Sequence, residues 1–128
     1  MNKLIIDAAN DKIFLMIIGE NNIYNTTYEN TKTNYEKIMI LINDFFTKKK
    51  YKLEDISQIY VNRGPGSFAG IRNSLSVVKA LSLTKNIDYF GFSFNDFVDE
   101  KNIKYENIPK LCNKFNIKKN LIKPIYMS

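Results

Sequence analysis

Residues 58–85 read QIYVNRGPGSFAGIRNSLSVVKALSLTK and contain three successive local patterns. Residues 58–62 are mostly apolar and β-branched or aromatic, which is typical of a buried strand. The loop Arg63-Gly-Pro-Gly66 breaks that strand. From about Ser67 to Lys85 apolar side chains recur at helical spacing, and Ser67 is placed to cap the helix. The stretch therefore predicts a strand, a tight loop and a long helix.

The segments on either side complete a single α/β layer structure. The predicted strands cover residues 3–7, 12–18, 23–28, 58–62 and 87–92. The predicted helices cover residues 35–48, 67–85, 94–98 and 108–115, and the chain closes with residues 121–128. The first two strands form a hairpin, which the third extends into an antiparallel meander. We expect a mixed β-sheet with the element order hairpin, strand, helix, strand, helix, strand, helices.

Length and composition indicate one folded domain. The chain has 128 residues, of which 45% are hydrophobic and 25% are charged, an ordinary globular composition. Its longest apolar runs, such as residues 14–18 and 38–42, are far shorter than the roughly 18 residues that a membrane span needs. The first residues lack the layout of a signal peptide, so we expect a cytoplasmic protein without membrane association. The one cysteine, Cys112, indicates no disulfide or metal site.

The formal net charge of +6 has two explanations. Clustered lysines release counterions from a phosphate backbone, so the charge can indicate nucleic-acid binding. An A+T-rich coding sequence, which favours Lys, Asn and Ile, would produce the same excess without that function. The densest cluster, Lys48–Lys50 with Lys52, falls at the predicted end of a helix, where cations favour the helix dipole. A solvated helix end is the simpler interpretation of the cluster.

The glycine loop also has two interpretations. Backbone N–H groups at a helix N-terminus attract anions, so a loop containing Gly64, Gly66 and Gly70 suggests a phosphate site. The spacing misses the dinucleotide fingerprint by one residue, and no Gly-Lys-Ser/Thr follows. In the structural alternative the glycines permit tight turns, Pro65 stiffens them and Ser67 caps the helix. We favour this structural interpretation.

Catalytic chemistry has little support in these residues. With no histidine in the chain there is no Ser/His/Asp arrangement, no histidine-ligated metal and no imidazole base. Asp7 and Asp11 lie near the end of the first predicted strand and could hold a cation as a pair. Aspartate also terminates strands and shapes turns, which is the commoner reason for its presence at such positions.

The two long helices carry more apolar surface than packing on one side requires. In the helix predicted at 35–48, apolar positions cover about 160° of the surface, against a stripe of roughly 100° for one-sided packing. The helix predicted at 67–85 is apolar or small nearly all round, and its strongly polar positions are Arg72, Asn73, Lys79 and its far end. A partner protein could cover the excess, and so could the domain's own sheet and first helix. The pattern favours neither.

The motif Asn62-Arg-Gly-Pro-Gly-Ser-Phe-Ala-Gly-Ile-Arg72 resembles the signature of the TsaB (YeaZ-like) family. These proteins are the non-catalytic subunits of the bacterial machinery that makes threonylcarbamoyladenosine in tRNA. The similarity extends to Leu4–Asp7, Leu53–Ile56, Gly91–Ser93 and Lys123–Tyr126. It implies an actin-like, RNase H-like lobe over residues 1–98. Family members usually carry a second lobe, for which residues 99–120 are too few. We expect a shortened form in which residues 99–128 add a helix and a closing strand to the same domain.

The resemblance also implies a function. In TsaB the helices corresponding to 35–48 and 67–85 pack against equivalent helices of the catalytic paralogue TsaD, so we expect a scaffold subunit. The paralogue holds its metal with histidines, and we expect no catalytic residue, metal or cofactor in this chain. The side chains expected to face the partner are Tyr35, Ile38, Ile42, Phe45, Phe68, Ile71, Leu75 and Val78. The signature loop consists of Arg63, Gly64, Pro65, Gly66, Ser67, Phe68, Gly70 and Arg72.

An alternative function stays open at this point. The chain could be an actin-like-fold nucleotide or metal binder, with residual ATPase or glycoprotease-like activity, that uses Asp7 and the glycine loop. Nucleotide-binding relatives on this fold combine an acid at the end of the first strand with nearby hydroxyls. Asp7-Ala-Ala-Asn10 offers the acid without a hydroxyl. For the scaffold function we expect self-association when the chain is alone, and an indirect association with tRNA.

Overall fold

A five-stranded sheet organises the computed structural model, which describes residues 1–127. The strands are β1 (Asn2–Asp7), β2 (Lys12–Ile18), β3 (Ile23–Glu29), β4 (Ile56–Asn62), β5 (Gly66–Ser67), β6 (Asp88–Phe92) and β7 (Tyr126–Met127). The helices are α1 (Lys32–Tyr35), α2 (Ile38–Lys49), α3 (Phe68–Lys85) and α4 (Ile108–Lys114). Single 3-10 turns cover Leu53–Asp55, Phe94–Asp96 and Tyr105–Asn107.

The main sheet has the strand order β3-β2-β1-β4-β6. β1 pairs antiparallel with β2, and β2 with β3, so the predicted meander is confirmed. On the other side of β1, β4 and β6 are added as parallel strands, each reached through a helical connection. The predicted mixed sheet is therefore confirmed. The short strands β5 and β7 form a separate parallel pair.

Different parts of the chain cover the two faces of the sheet. Side chains alternate along each strand, so Leu4 and Ile6 point to one face and Ile5 to the other. We call the face that α2 and α3 cover the helix face. The other face, called the opposite face, is covered by the segment after β6. Its buried side chains are Ile5, Met16, Tyr60, Phe92, Phe97, Ile108 and Cys112.

The helix predicted at 35–48 begins later, at Ile38, and a separate one-turn helix, α1, precedes it. α1 ends at Tyr35, and Lys37 then adopts φ −129° and ψ 35°, outside the helical region, before α2 begins. The side chain of Asn34 donates to the carbonyl of Glu29 (2.9 Å) and holds α1 against the end of β3. Ile38 is buried and fixes the start of α2 over the sheet. The two segments are thus anchored separately, although the apolar period continues across the break.

α3 begins and ends as its local signals predict. The side-chain oxygen of Ser67 accepts a hydrogen bond from the backbone N–H of Gly70 (3.2 Å), so the predicted N-cap is confirmed. At the other end Asn86 adopts a left-handed conformation with φ 56° and terminates the helix. None of the described helices is long and apolar enough to cross a bilayer.

The C-terminal segment, expected to add a helix and a closing strand within residues 99–128, has a short strand. Within the described residues, its strand is limited to Tyr126–Met127, which pairs with β5 and not with the main sheet. Ser128 lies outside the described residues. The outer edge of β6 is met instead by Asn120, whose backbone N–H donates to the carbonyl of Tyr89 (2.7 Å). The side-chain Oδ1 of Asn120 accepts from the N–H of Tyr89 (3.0 Å), so Asn120 satisfies both backbone polar groups of Tyr89.

Candidate functional site

Three backbone N–H groups of the glycine loop are used within the molecule. The N–H of Gly64 donates to Oδ1 of Asn62 (2.8 Å), and the N–H of Ser67 donates to the carbonyl of Ala9 (2.8 Å). The N–H of Gly70 is bound by the Ser67 cap. A phosphate site of the glycine-loop type needs such donors to be free. This geometry supports the structural interpretation of the loop.

All three glycines of the loop are required by close backbone approach, and at Gly66 a Cβ would lie 2.2 Å from the carbonyl oxygen of Ala9. Gly64 has φ +109°, and a Cβ there would lie 2.0 Å from the carbonyl oxygen of Ile125. A Cβ on Gly70 would lie 1.9 Å from the carbonyl oxygen of Ala8. The loop is therefore clamped between the end of β1 and the C-terminal segment.

The remaining signature residues have distinct environments. Arg63 donates to Oδ1 of Asp96 (2.6 Å) and to the carbonyl of Lys123 (3.1 Å), which ties the loop to the C-terminal segment. Phe68 is half exposed and packs against the ring of Tyr126, with ring centroids 4.6 Å apart. Pro65 and Arg72 are exposed. The signature thus serves mainly to position the start of α3.

The carboxylate of Asp7 is buried and already has hydrogen-bond partners. Its Oδ1 accepts from the backbone N–H of Ala9 (3.0 Å), and its Oδ2 accepts from the hydroxyl of Tyr105 (2.6 Å). Burial, reinforced by the Asp7 charge, raises the pKa of Tyr105 far above its ordinary value. Asp11 is exposed, and its carbonyl accepts from the backbone N–H of Asn30. Both acids therefore act in strand and turn structure in this conformation.

Most of the side chains expected to face a partner lie in the chain's own core. Each of six side chains is 4% exposed or less, and these are Ile38, Ile42, Phe45, Ile71, Leu75 and Val78. They pack on the helix face with the side chains of the sheet. The structure corrects this part of the prediction, because a side chain buried in its own core cannot contact a partner. Tyr35 is half buried, and Phe68 is half exposed beside Tyr126.

An apolar groove between α2 and α3 stays accessible. It has a volume of about 330 Å³, and we call it the helix-pair groove. Its lining residues are Met39, Ser76, Val77, Ala80, Leu81 and Thr84. Two large apolar side chains on the same helices are exposed to solvent, Ile40 at 63% and Leu83 at 87%. The helices therefore do retain uncovered apolar surface on their outer side, and of the predicted positions Phe68 is also half exposed.

The lysine cluster at the end of α2 has local partners. Lys48 forms an ion pair with Asp44 one turn earlier (3.1 Å), and the Lys49 ammonium lies 5.0 Å from the centre of the Tyr24 ring. Lys50 ends the helix in a left-handed conformation. These contacts agree with a solvated helix end.

Fold and site together define an actin-like, RNase H-like α/β lobe. A solved structure of YeaZ from Pseudomonas aeruginosa superposes with a TM-score of 0.66 at 18% identity, covering 72% of this chain and 43% of that chain. RuvC from T. thermophilus, in complex with a Holliday junction substrate, superposes with a TM-score of 0.51 at 8% identity. The RuvC match covers 98% of this chain and 86% of that chain. Likenesses at this identity concern the fold alone.

Sequence comparison identifies the family. A family model described as "TsaD: tRNA N6-adenosine threonylcarbamoyltransferase" matches residues 21–95, which is more than half of the chain. The chain belongs to this family, and within it the chain is a TsaB/YeaZ-like protein. It is 30% identical over 98 residues to the "tRNA threonylcarbamoyladenosine biosynthesis protein TsaB" of Buchnera aphidicola subsp. Schizaphis graminum, covering 77% of this chain. Its identity to the protein of that name from Escherichia coli K12 is 27% over 94 residues, covering 73% of this chain.

This chain spans less than half the length of the curated relatives that it matches. The aligned region covers 47% of the Buchnera protein and 40% of the Escherichia coli protein.

Several residues that shape the site had no signal in the sequence. Tyr105 and Asn120 act through contacts with residues far away in the chain, and Asn30 fixes the turn after β1 by donating to the carbonyls of Ala8 (2.8 Å) and Asn10 (2.7 Å).

Proposed function

We propose that this chain is a non-catalytic subunit that binds and supports a TsaD-like enzyme in the formation of threonylcarbamoyladenosine in tRNA. The observation that carries the proposal is the helix-pair groove. It is an uncovered apolar surface on two adjacent helices, and such surfaces commonly mark protein contacts. The relatives are named as tRNA threonylcarbamoyladenosine biosynthesis proteins, which supports a role of this chain in forming that nucleoside.

The shape of the groove suits a helical partner. Ser76 and Ala80 are small and exposed, and they lie one turn apart on α3. Small side chains allow a second helix to approach closely, while Met39 and Val77 offer apolar contacts on either side. Exposed Ile40 and Leu83 extend the apolar area along the two helices. We propose the same surface for the self-association expected when no partner is present.

The scaffold role fits the polar groups better than the nucleotide or metal alternative. Both oxygens of Asp7 accept hydrogen bonds within the chain, and the N–H groups of Gly64, Ser67 and Gly70 donate internally. A nucleotide at that place would have to displace Tyr105 and open the loop. Calorimetry with ATP and magnesium tests the alternative, and binding that is lost in Asp7→Ala would favour it.

Co-purification with the TsaD-like paralogue of the same organism tests the proposal. Ala80→Glu places a charge in the middle of the helix-pair groove, and we expect it to weaken the complex by at least about tenfold, because an unpaired carboxylate is costly at an apolar contact. Val98→Glu is the matched control, since Val98 is 65% exposed and lies outside the groove. Equal binding of wild type and Ala80→Glu would defeat the proposal.

A further inference from the structure

A cavity with a volume of about 580 Å³ lies on the opposite face of the sheet, beneath α4. Its floor consists of side chains from three neighbouring strands, with Lys3 from β1, Gln58 and Tyr60 from β4, and Phe90 from β6. α4 and the turn that follows it form the wall. Pockets of this size accommodate small organic ligands such as a mononucleotide.

The charged side chains around this cavity are all positive. Lys3, Lys110 and Lys118 line it, and none of them forms an ion pair with a carboxylate within residues 1–127. No carboxylate of the described residues belongs to the lining. Cations that converge on one concave surface favour an anion there, and lysine ammonium groups donate strong hydrogen bonds to phosphate.

An aromatic pair supplies the apolar part of the floor. The rings of Tyr60 and Phe90 are stacked, with centroids 4.9 Å apart and an interplanar angle of 10°. Phe90 is half buried and contributes to the lining. The Tyr60 hydroxyl donates to Oε1 of Gln58 (3.0 Å), and burial raises the pKa of Tyr60 to about 12, so the hydroxyl stays neutral. The side-chain amides of Gln58 and Asn113 offer donors and acceptors suited to the edge of a base.

A second cavity, of about 330 Å³, continues the first toward the signature loop. The two share the lining residues Asn116, Ile117 and Lys118. The second cavity adds Arg63, Asp96 and Lys123, and the charges of Arg63 and Asp96 compensate each other at 2.6 Å. The surplus charge is therefore again positive. We call the two cavities together the basic groove.

We propose that the basic groove binds a nucleotide, with its lysines on the phosphate and the half-buried Phe90 ring, backed by Tyr60, beside the base. Aromatic side chains interleaved with cations are how proteins hold single-stranded nucleic acid, and a free nucleotide presents the same chemistry. The groove begins at Lys3, near the start of β1, whereas Asp7 ends that strand. The site is thus separate from Asp7 and from the helix-pair groove, and it does not rest on the proposed partner-binding function.

NMR titration of the isolated, isotopically labelled chain with AMP, UMP and inorganic phosphate tests the proposal. We expect saturable amide shifts in β1, β4, β6 and α4 with either nucleotide, and binding of phosphate at least about tenfold weaker. Shifts that do not saturate, or phosphate that binds as tightly as the nucleotides, would overturn the proposal. A single-stranded oligouridine that spans both cavities distinguishes RNA from a free nucleotide as the ligand of the groove. Tighter binding than UMP by tenfold or more assigns the groove to RNA, and equal binding assigns it to a free nucleotide.

Charge-reversal variants locate the binding. The double variant Lys110→Glu/Lys118→Glu changes two exposed side chains of the groove, and we expect it to lower nucleotide affinity at least about tenfold. The matched control Lys32→Glu/Lys79→Glu makes the same change in net charge at exposed positions in α1 and α3. It should leave affinity within about twofold of wild type. Equal losses in the two double variants would mean unspecific attraction and would refute a site in the groove.

Discussion

The hydroxyl of Tyr105 donates a 2.6 Å hydrogen bond to Oδ2 of Asp7, joining two residues that are 98 positions apart in the chain. The Tyr105 ring also stacks on Phe14, with centroids 4.0 Å apart. The first two strands are thereby tied to the segment between β6 and α4. The segment that contains Tyr105 thus covers the carboxylate at the end of β1.

Replacing Tyr105 with phenylalanine should destabilise the fold. The change keeps the ring on Phe14 but removes one hydrogen bond from the buried carboxylate of Asp7, at a cost of about 1–3 kcal/mol. Urea unfolding followed by circular dichroism measures the difference. Tyr24→Phe is the control, because the structure shows no hydrogen bond from its hydroxyl within residues 1–127, and it should stay near wild type. Equal stability of Tyr105→Phe and wild type would contradict the assigned role.

The same tyrosine should make the stability fall at alkaline pH. Burial and the charge of Asp7 raise the pKa of Tyr105 in the folded state above its unfolded value of about 10. Between these two pKa values the native state binds more protons than the unfolded state, so the free energy of unfolding decreases as pH rises. The Tyr105 contribution is fully present below about pH 10 and is lost above it. Between pH 8 and 11 the free energy of unfolding should therefore fall less steeply with pH for Tyr105→Phe than for wild type. An equal pH dependence of the two proteins would contradict this role of Tyr105.

Gly70→Ala should be strongly destabilising even though alanine favours helices. The added methyl group would lie 1.9 Å from the carbonyl oxygen of Ala8, and a backbone atom cannot move aside cheaply. We expect a loss at the upper end of the 1–3 kcal/mol typical of overpacking. Ser76→Ala on the exposed side of α3 is the control and should change stability little. Thermal unfolding of the two variants makes the comparison.

Leu75→Glu should unfold the chain. Leu75 is 4% exposed in the core, and an uncompensated carboxylate there costs more than about 4 kcal/mol. The expectation from the sequence, that Leu75 faces a partner, implies an intact fold. Ala80→Glu, on the exposed side of the same helix, should stay within about 0.5 kcal/mol of wild type. A cooperative, wild-type-like transition for Leu75→Glu would restore the earlier expectation.

The thiol of Cys112 should react slowly in the native protein. It is 2% exposed, and burial, together with the charge of Asp96, raises the pKa of the Cys112 thiol to about 12. Since the thiolate is the reactive form, labelling with a disulfide reagent at pH 8 should proceed only as fast as the protein opens. Complete labelling in denaturant, and fast labelling of a Ser76→Cys/Cys112→Ala variant, are the controls. Rapid native labelling of Cys112 would show that α4 is not closed over the opposite face.

The parts of the fold with local signals were predictable from the sequence. The residues that begin and end α3, Ser67 and Asn86, lie directly beside the helix in the sequence. The antiparallel meander follows from the alternation of apolar and polar residues and from the turn residues between the strands. The division between α1 and α2 was missed because Asn34 and Ile38 are held by contacts outside the helix, while the apolar period runs through.

The candidate site was only partly predictable. Periodicity identified the excess of apolar surface on both helices, but it cannot tell which stripe meets the sheet, so Ile71 and Leu75 were assigned to the wrong side. The hydrogen bond between Tyr105 and Asp7 depends on how the last third of the chain folds back, which no local pattern encodes. The basic groove likewise combines Lys3 and Lys118, which are brought together only by the packing of α4.

Asn120 covers part of the outer edge of the main sheet. β6 is an outermost strand, and an edge with free N–H and C=O groups is a template on which strands of other molecules can add. By binding both backbone groups of Tyr89, and by donating from its side chain to Asp88 (3.1 Å), Asn120 occupies the place that such a strand would take. The backbone and the side chain of a single residue thus leave less of this edge open to a strand from another molecule.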